Sequence, residues 1–285
     1  MNTVDFFGHK VSKLIVGDNP INGHSYIEDE ITGQEMKEFY TSEKIKEALF
    51  KMEEHGYNTM LPLADPYMIR ILQEYQREGG RMQFIFQPYM PMDQDVSMRQ
   101  MMSINTIGVY HQGTTTDYLY ESGQCEKIVA MIEKYHSMGI PVGLGTHRPD
   151  VIETSEREGW NVDFYLACMQ NARRGREGER SGFITGKTKA HIVFYPEDRP
   201  VMLETLKKVS KPIIAFKLFA GGQMFIGKNE KEKREVIKNV YDEVFISLKP
   251  NDMGAIGVFQ RDTDQIKENS ELYEEWYREK GHTIT

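Results

Sequence analysis

Residues 104–113 read INTIGVYHQG, an apolar run that ends on a histidine, followed by an amide and a glycine. A strand made for a protein interior rarely stops on an imidazole without reason, and this one has company. Similar runs recur along the chain: KLIVG (13–17), NTMLPL (58–63), MQFIFQPY (82–89), IPVGLGTH (140–147), VDFYLACM (162–169), PIIAFKLF (212–219) and GAIGVFQ (254–260). Their near-continuous hydrophobicity suits strands covered on both faces.

Helical patterns fill the intervals. Ile45, Leu49 and Met52 share one face before Gly56, and Ile128, Ile132 and Tyr135 repeat the pattern before Gly139. Val236, Val240 and Val244 continue it. Eight strand-like runs alternating with helices predict a (β/α)8 TIM barrel. A doubly wound sheet is the rival. It calls for a glycine-rich first turn, whereas GDNPINGHS (17–25) contains no G-x-G-x-x-G.

With 285 residues and no Pro- or Ser-rich linker, the chain reads as one barrel domain over 1–285. VDFFGHKVS, turning at Gly8-His9, predicts a β-hairpin across the barrel floor, within residues 4–12. Residues 171–196, with basic side chains concentrated in 173–189, predict a long βα loop able to cover the mouth.

Hydrophobic residues at 39% and charged residues at 27% support a sizeable core, and a net charge of −8 argues against a nucleic-acid-binding stripe. The two cysteines, Cys125 and Cys168, do not form a C-x-x-C pair, which fits a reducing compartment. The N-terminus lacks the apolar segment of a signal peptide, and no run reaches membrane-span length. A soluble, cytoplasmic protein with a small-molecule substrate and no nucleic-acid or membrane partner is the expectation; oligomeric state is not legible.

In this fold the site forms beyond the C-terminal ends of the strands. Those ends carry Asp18-Asn19, Asp65, Gln87, His111, His147-Arg148, Gln170-Asn171, Lys217 and Gln260-Arg261, a ring of polar groups around a pocket. Asp18, Asn19, Gln87, Arg148 and Gln170 are candidate substrate contacts. His111 is a candidate catalytic group, against the simpler role of donating to a backbone carbonyl. Asp65 before Pro66 also matches a helix N-cap. Lys217 shares its strand face with Ile213, Ala215 and Phe219. Burial there is expected to depress its pKa and free a Schiff-base amine, unless a carboxylate such as Asp18 pairs with it. No short metal-ligand spacing occurs, so no metal is expected.

The chain also resembles the aldo/keto reductase superfamily. FFGHKVSKLIVGDNPING is similar to that family's floor hairpin and first strand, and EALFKMEEHGYNTMLPLADPY to its second unit. TIGVYHQG matches the strand ending in the catalytic histidine, KLFAGG the strand-seven turn, and GAIGVFQRDTDQIKENSELYEEW the cofactor-phosphate segment, with Gln265, Glu268 and Asn269 in its Q-x-x-E-N pattern. The resemblance implies Tyr67 as acid, His111 beside it, and an NADP(H) cofactor held by Thr146, His147, Arg261, Gln265, Glu268 and Asn269. It departs where the family's aspartate reads as Leu61, its lysine as Gln87, its serine-asparagine pair as Thr146-His147, and its strand-six glutamine falls near Leu166.

Without that lysine, proton donation by a tyrosine near neutral pH is impaired. The leading expectation is therefore a diverged reductase-like enzyme acting on a small polar or sugar-like carbonyl compound. The alternatives are a nicotinamide-independent lyase, aldolase or isomerase using Lys217 or a metal, and a non-catalytic binding barrel.

Overall fold

The computed structural model describes residues 1–171 and 193–281. Eight parallel strands close a barrel, in the order β10-β3-β4-β5-β6-β7-β8-β9. They are β3 Leu14–Gly17, β4 Thr59–Leu61, β5 Gln83–Phe86, β6 Thr106–His111, β7 Val142–Thr146, β8 Phe164–Cys168, β9 Ile213–Phe216 and β10 Met253–Gly257. The expected (β/α)8 barrel is the observed fold.

Ahead of it, β1 (Thr3–Phe6) and β2 (His9–Ser12) form an antiparallel hairpin with Phe6 opposite His9. The two-residue turn, Phe7-Gly8, has positive φ at both positions (51° and 85°), the geometry that matches strand twist in a tight hairpin. Val4, Phe6 and Val11 pack with Ile15, Ile85 and Phe164 in the barrel interior, so the hairpin closes the floor. Phe6 is fully buried, its ring 5.0 Å from that of Phe164. Phe6→Ala should cost about 3–5 kcal/mol in urea unfolding through the cavity it leaves. A loss under about 1 kcal/mol would show that the hairpin does not plug the floor.

The helices pack outside as their periodicity dictates. Helix α2 (Ser42–Glu54) is capped by Thr41, buries Ile45, Leu49 and Met52, and ends before Gly56 at φ 83°. In α9 (Glu230–Ser247) the buried face turns toward Ile237, Val240, Tyr241, Val244 and Phe245, leaving Val236 half-buried. The cause is aromatic packing: Tyr241 and Phe245 meet Tyr273 and Trp276 of α10 (Gln265–Lys280) in edge-on and tilted ring contacts.

The expected basic βα loop falls largely on residues 172–192, outside the described residues. No described helix is long and apolar enough to cross a membrane.

Candidate functional site

Strand pleat decides which strand-end residues meet. Side chains alternate between the barrel interior and the helix layer. In β7 the interior positions are Gly143 and Gly145, while Val142 and Leu144 join the outer core. A Cβ on Gly143 would stand 2.4 Å from the Phe164 ring, so only glycine lets β7 pack against β8. At the strand end, Thr146 turns outward and His147 reaches the mouth.

A cavity of about 830 Å³ opens there, lined by Asp18, Asn19, Gln87, Tyr110, His147 and Lys217 among others. A chain of bonds runs from one wall into the protein interior. Lys217 Nζ lies 3.0 Å from His147 Nε2, and His147 Nδ1 lies 2.8 Å from Asp117 Oδ2. Asp117, on α5 (Gly113–Glu121), is fully buried and also accepts from the Thr146 hydroxyl at 2.5 Å and from the His147 backbone N–H. A carboxylate only accepts, so Nδ1 carries the imidazole proton and the Nε2 lone pair faces the lysine.

Lys217 is held from above as well. Its Nζ lies 4.7 Å from the ring centre of Tyr26, 5.4 Å from Phe194 and 5.7 Å from Phe216. The following turn makes room for Tyr26, since a Cβ on Gly221 (φ 59°) would meet that ring at 2.5 Å. Gln223 ties the pieces together, donating to the Tyr26 carbonyl at 2.9 Å and accepting from the Phe194 N–H at 3.1 Å. Asn19 donates to the Tyr26 hydroxyl at 3.2 Å. Lys217 itself has φ 56° and Ala220 φ 51°, left-handed conformations that cost non-glycine residues energy and mark a turn fixed by its surroundings.

The electrostatics of Lys217 differ from the sequence expectation. Burial, the largest influence, pulls its pKa down, but Tyr26, Cys168 and Asp117 outweigh it, and the net shift is upward. The amine rests as an ammonium and needs a neighbouring base before it can act as a nucleophile. His147 is in position to be that base.

Asp18, the suggested partner, is elsewhere. Its Oδ2 accepts from Asn22 Nδ2 at 2.6 Å and from the Leu63 N–H at 2.5 Å. Burial pushes its carboxyl up to about 7. Tyr110, also lining the cavity, donates to Gln87 Oε1 at 3.4 Å.

Several expected site residues lie away from the cavity. His111 is one position out of phase with Tyr110 and points into the helix layer, where Nδ1 meets the Thr116 hydroxyl at 2.7 Å; burial lowers its pKa to about 4. Tyr67 is 54% exposed on α3 (Pro66–Arg77), because Asp65 caps that helix through the Tyr67 and Met68 N–H groups. Thr146 is turned to Asp117. Arg148 pairs with Asp150 and Glu121 at the start of α7 (Pro149–Glu158). Gln170 is buried beyond β8 and does not line the cavity.

Of the residues suggested for a nicotinamide cofactor, Thr146 does not line the cavity and His147 lines it beside Lys217, while Arg261, Gln265, Glu268 and Asn269 also line it and already have protein partners or acidic neighbours. The Arg261 guanidinium is compensated by Glu35 at 3.0 Å and Asp262 at 2.9 Å. Gln265 accepts from the Phe259 N–H at 2.8 Å. Asn269, buried, accepts from the Tyr241 hydroxyl at 3.2 Å and donates to the Gln265 carbonyl at 2.8 Å. Glu268 adds another acid, its pKa raised by burial and then by Glu230. Among the described residues no group of three His, Cys, Asp or Glu side chains is arranged to hold a metal ion.

Sequence reasoning missed Asp117, Tyr26 and Phe194. Asp117 sits in GTTTDYLYE, a helix of unremarkable pattern, and nothing local marks its burial.

No family model matches the chain, and no curated protein matches it. Solved structures resemble it at the level of the barrel. An aldo-keto reductase from Bacillus halodurans in its holo form is 10% identical over 100% of this chain and 96% of that one, with a TM-score of 0.56. A Yersinia pestis dihydropteroate synthase is 10% identical over 98% and 99%, at 0.53. A truncated 3-deoxy-D-arabino-heptulosonate 7-phosphate synthase from Thermotoga maritima is 12% identical over 99% and 91%, at 0.52. At such identities the likeness is one of fold, and it extends to a reductase and to synthases alike.

Proposed function

We propose that this barrel is a nicotinamide-independent lyase or aldolase that captures a small polar carbonyl compound as a Schiff base on Lys217. The observation that carries this is the bond chain from Lys217 and His147 on the cavity wall to the buried Asp117. The step it supports is proton removal from a resting ammonium. His147 takes the proton at Nε2, Asp117 stabilises the imidazolium through Nδ1, and the freed amine attacks the carbonyl carbon. Phe194 and Phe216 beside the amine keep water from competing, while Tyr26 and Asn19 offer polar contacts to the carbinolamine oxygen.

Borohydride trapping tests it. Incubation with hydroxylated ketones and 2-oxo acids, then reduction, should leave a mass adduct that peptide mapping places on Lys217. No adduct across both classes would sink the proposal.

A second reading, carbonyl reduction, has one observation in its favour. The Tyr26 ring lies 4.7 Å from the Lys217 Nζ, which brings a phenol and an amine together at the cavity. That reading requires a nicotinamide cofactor. With Arg261 compensated by two carboxylates, NADPH at up to about 1 mM is expected to give no saturable quenching of protein fluorescence, which means affinity weaker than about 4 kcal/mol. Saturation in the micromolar range would restore the reductase reading.

A further inference from the structure

Capturing a carbonyl at Lys217 leaves a second requirement, a group that moves a proton on the substrate itself. Asp18 stands on the same cavity, at the end of β3, with β10 the one strand between it and β9. Neighbouring strands run about 4.8 Å apart, so the two strand ends are roughly 10 Å apart along the wall, and both side chains line the space between. The carboxyl is built into the protein, at 8% exposure. Asn22 and Leu63 both donate to Oδ2, and the Asp18 backbone N–H also bonds the carboxyl, so the group is held at the cavity wall. Burial places its titration near neutrality, where proton uptake and return are both accessible.

The surroundings of Asp18 also bear on what the ligand carries. The charged neighbour acting on it is Asp65, another acid, and Tyr110 feels the Asp18 charge in turn. An anionic group at this end would be repelled, whereas a hydroxyl can donate to the Asp18 carboxylate and accept from the Asn22 and Gln87 amides that line the same cavity.

We infer that Asp18 is the catalytic acid–base of the site, and that the substrate is a neutral hydroxylated ketone or aldehyde with its carbonyl at Lys217 and its β-hydroxyl at Asp18. This rests on the Schiff-base proposal. The Lys217 amine adds to the carbonyl carbon, and water leaves to give an iminium. Asp18 takes the proton of the β-hydroxyl; the O–H electron pair becomes the new C=O of an aldehyde, and the bond between the α and β carbons breaks. Its electrons neutralise the iminium as an enamine. The enamine carbon then takes the proton back from Asp18, and water releases the shortened carbonyl product and restores the amine. No oxidant or reductant enters.

The probe is erythrulose, which this cleavage divides into formaldehyde and dihydroxyacetone. Two signals are read on the full-length protein: the borohydride adduct on Lys217 and the release of formaldehyde. Wild type is expected to give both. Asp18→Asn should keep the adduct within about threefold and lose formaldehyde release by about 100-fold or more, the scale of a missing general base. Asp18→Glu, which keeps a carboxylate, should recover part of the release and guards against a misfolded Asn variant, with circular dichroism as the check. Lys217→Met should lose both signals. Normal adduct with undiminished release in Asp18→Asn overturns Asp18 as the base while leaving Lys217 in place. A wild-type adduct without formaldehyde overturns the substrate class. Absence of any wild-type adduct removes the Schiff base, and the role of Asp18 with it.

Discussion

Lys217→Met is expected to fold as wild type does and to lose turnover by at least about 10³-fold, because no other described amine stands in the apolar bay beside His147. Methionine fills the same space against Tyr26, Phe194 and Phe216, so the change removes chemistry rather than packing. The Lys217 pKa lies above the ordinary lysine range, which makes the base next to it essential. His147→Ala should therefore slow adduct formation by about 10²-fold or more near pH 7, and the deficit should shrink as pH rises and hydroxide deprotonates the amine. Asp117→Asn should act in the same direction. An asparagine amide can donate to Nδ1 and shift the imidazole proton to Nε2, blocking the lone pair that faces Lys217. Stopped-flow or timed borohydride quenching measures each rate. A wild-type rate in His147→Ala would show that the chain of bonds only holds the lysine in place.

Asp18→Asn is expected to stabilise the protein at pH 8 while removing cleavage. A carboxyl whose pKa rises from 3.8 unfolded to about 7 folded binds its proton in the native state between those values, whereas the unfolded chain does not. Stability supplied by the protonated form is present at low pH and declines as pH rises toward 7, reaching a deficit of about 4 kcal/mol above it. Asparagine carries no such charge. Its advantage over wild type in thermal or urea unfolding should be largest at pH 8 and should fade toward pH 4. The groups that share this environment are Asp65, Tyr110, the Asn22 amide and the Leu63 N–H. A pH-independent difference between the two proteins would mean that Asp18 is ionised in the folded state throughout this range. A carboxyl held at such cost in the cavity wall is consistent with proton transfer as its task.

The order of apolar runs and helical patterns was enough to specify a closed eight-stranded barrel, because strands sheathed by helices must be apolar on both faces and must alternate with their covers. The floor hairpin was legible as well, although its turn falls at Phe7-Gly8, one residue before the Gly8-His9 turn read from the sequence. The Asp65 cap and the polar character of the strand ends follow from neighbours in sequence. Lys217 stood out as a charged residue after an apolar run, but the face assigned to it was wrong: Ile213 and Ala215 pack in the helix layer, whereas Lys217 lies beyond β9 with φ 56° and lines the cavity. What sequence could not decide was direction and company. His111 and Tyr110 are adjacent, and a one-residue difference in pleat sends one to the helix layer and the other to the cavity. Arg261 read as a phosphate clamp until the fold brought Glu35, from a helix more than two hundred residues earlier in the chain, onto its guanidinium. Asp117, His147 and Lys217 come from three different βα units and become one chain of bonds only when β6, β7 and β9 take their places around a closed barrel. Periodicity records which residues are buried. Which buried polar groups meet is set by closure, because contacts between distant segments leave no trace in the local pattern of either one.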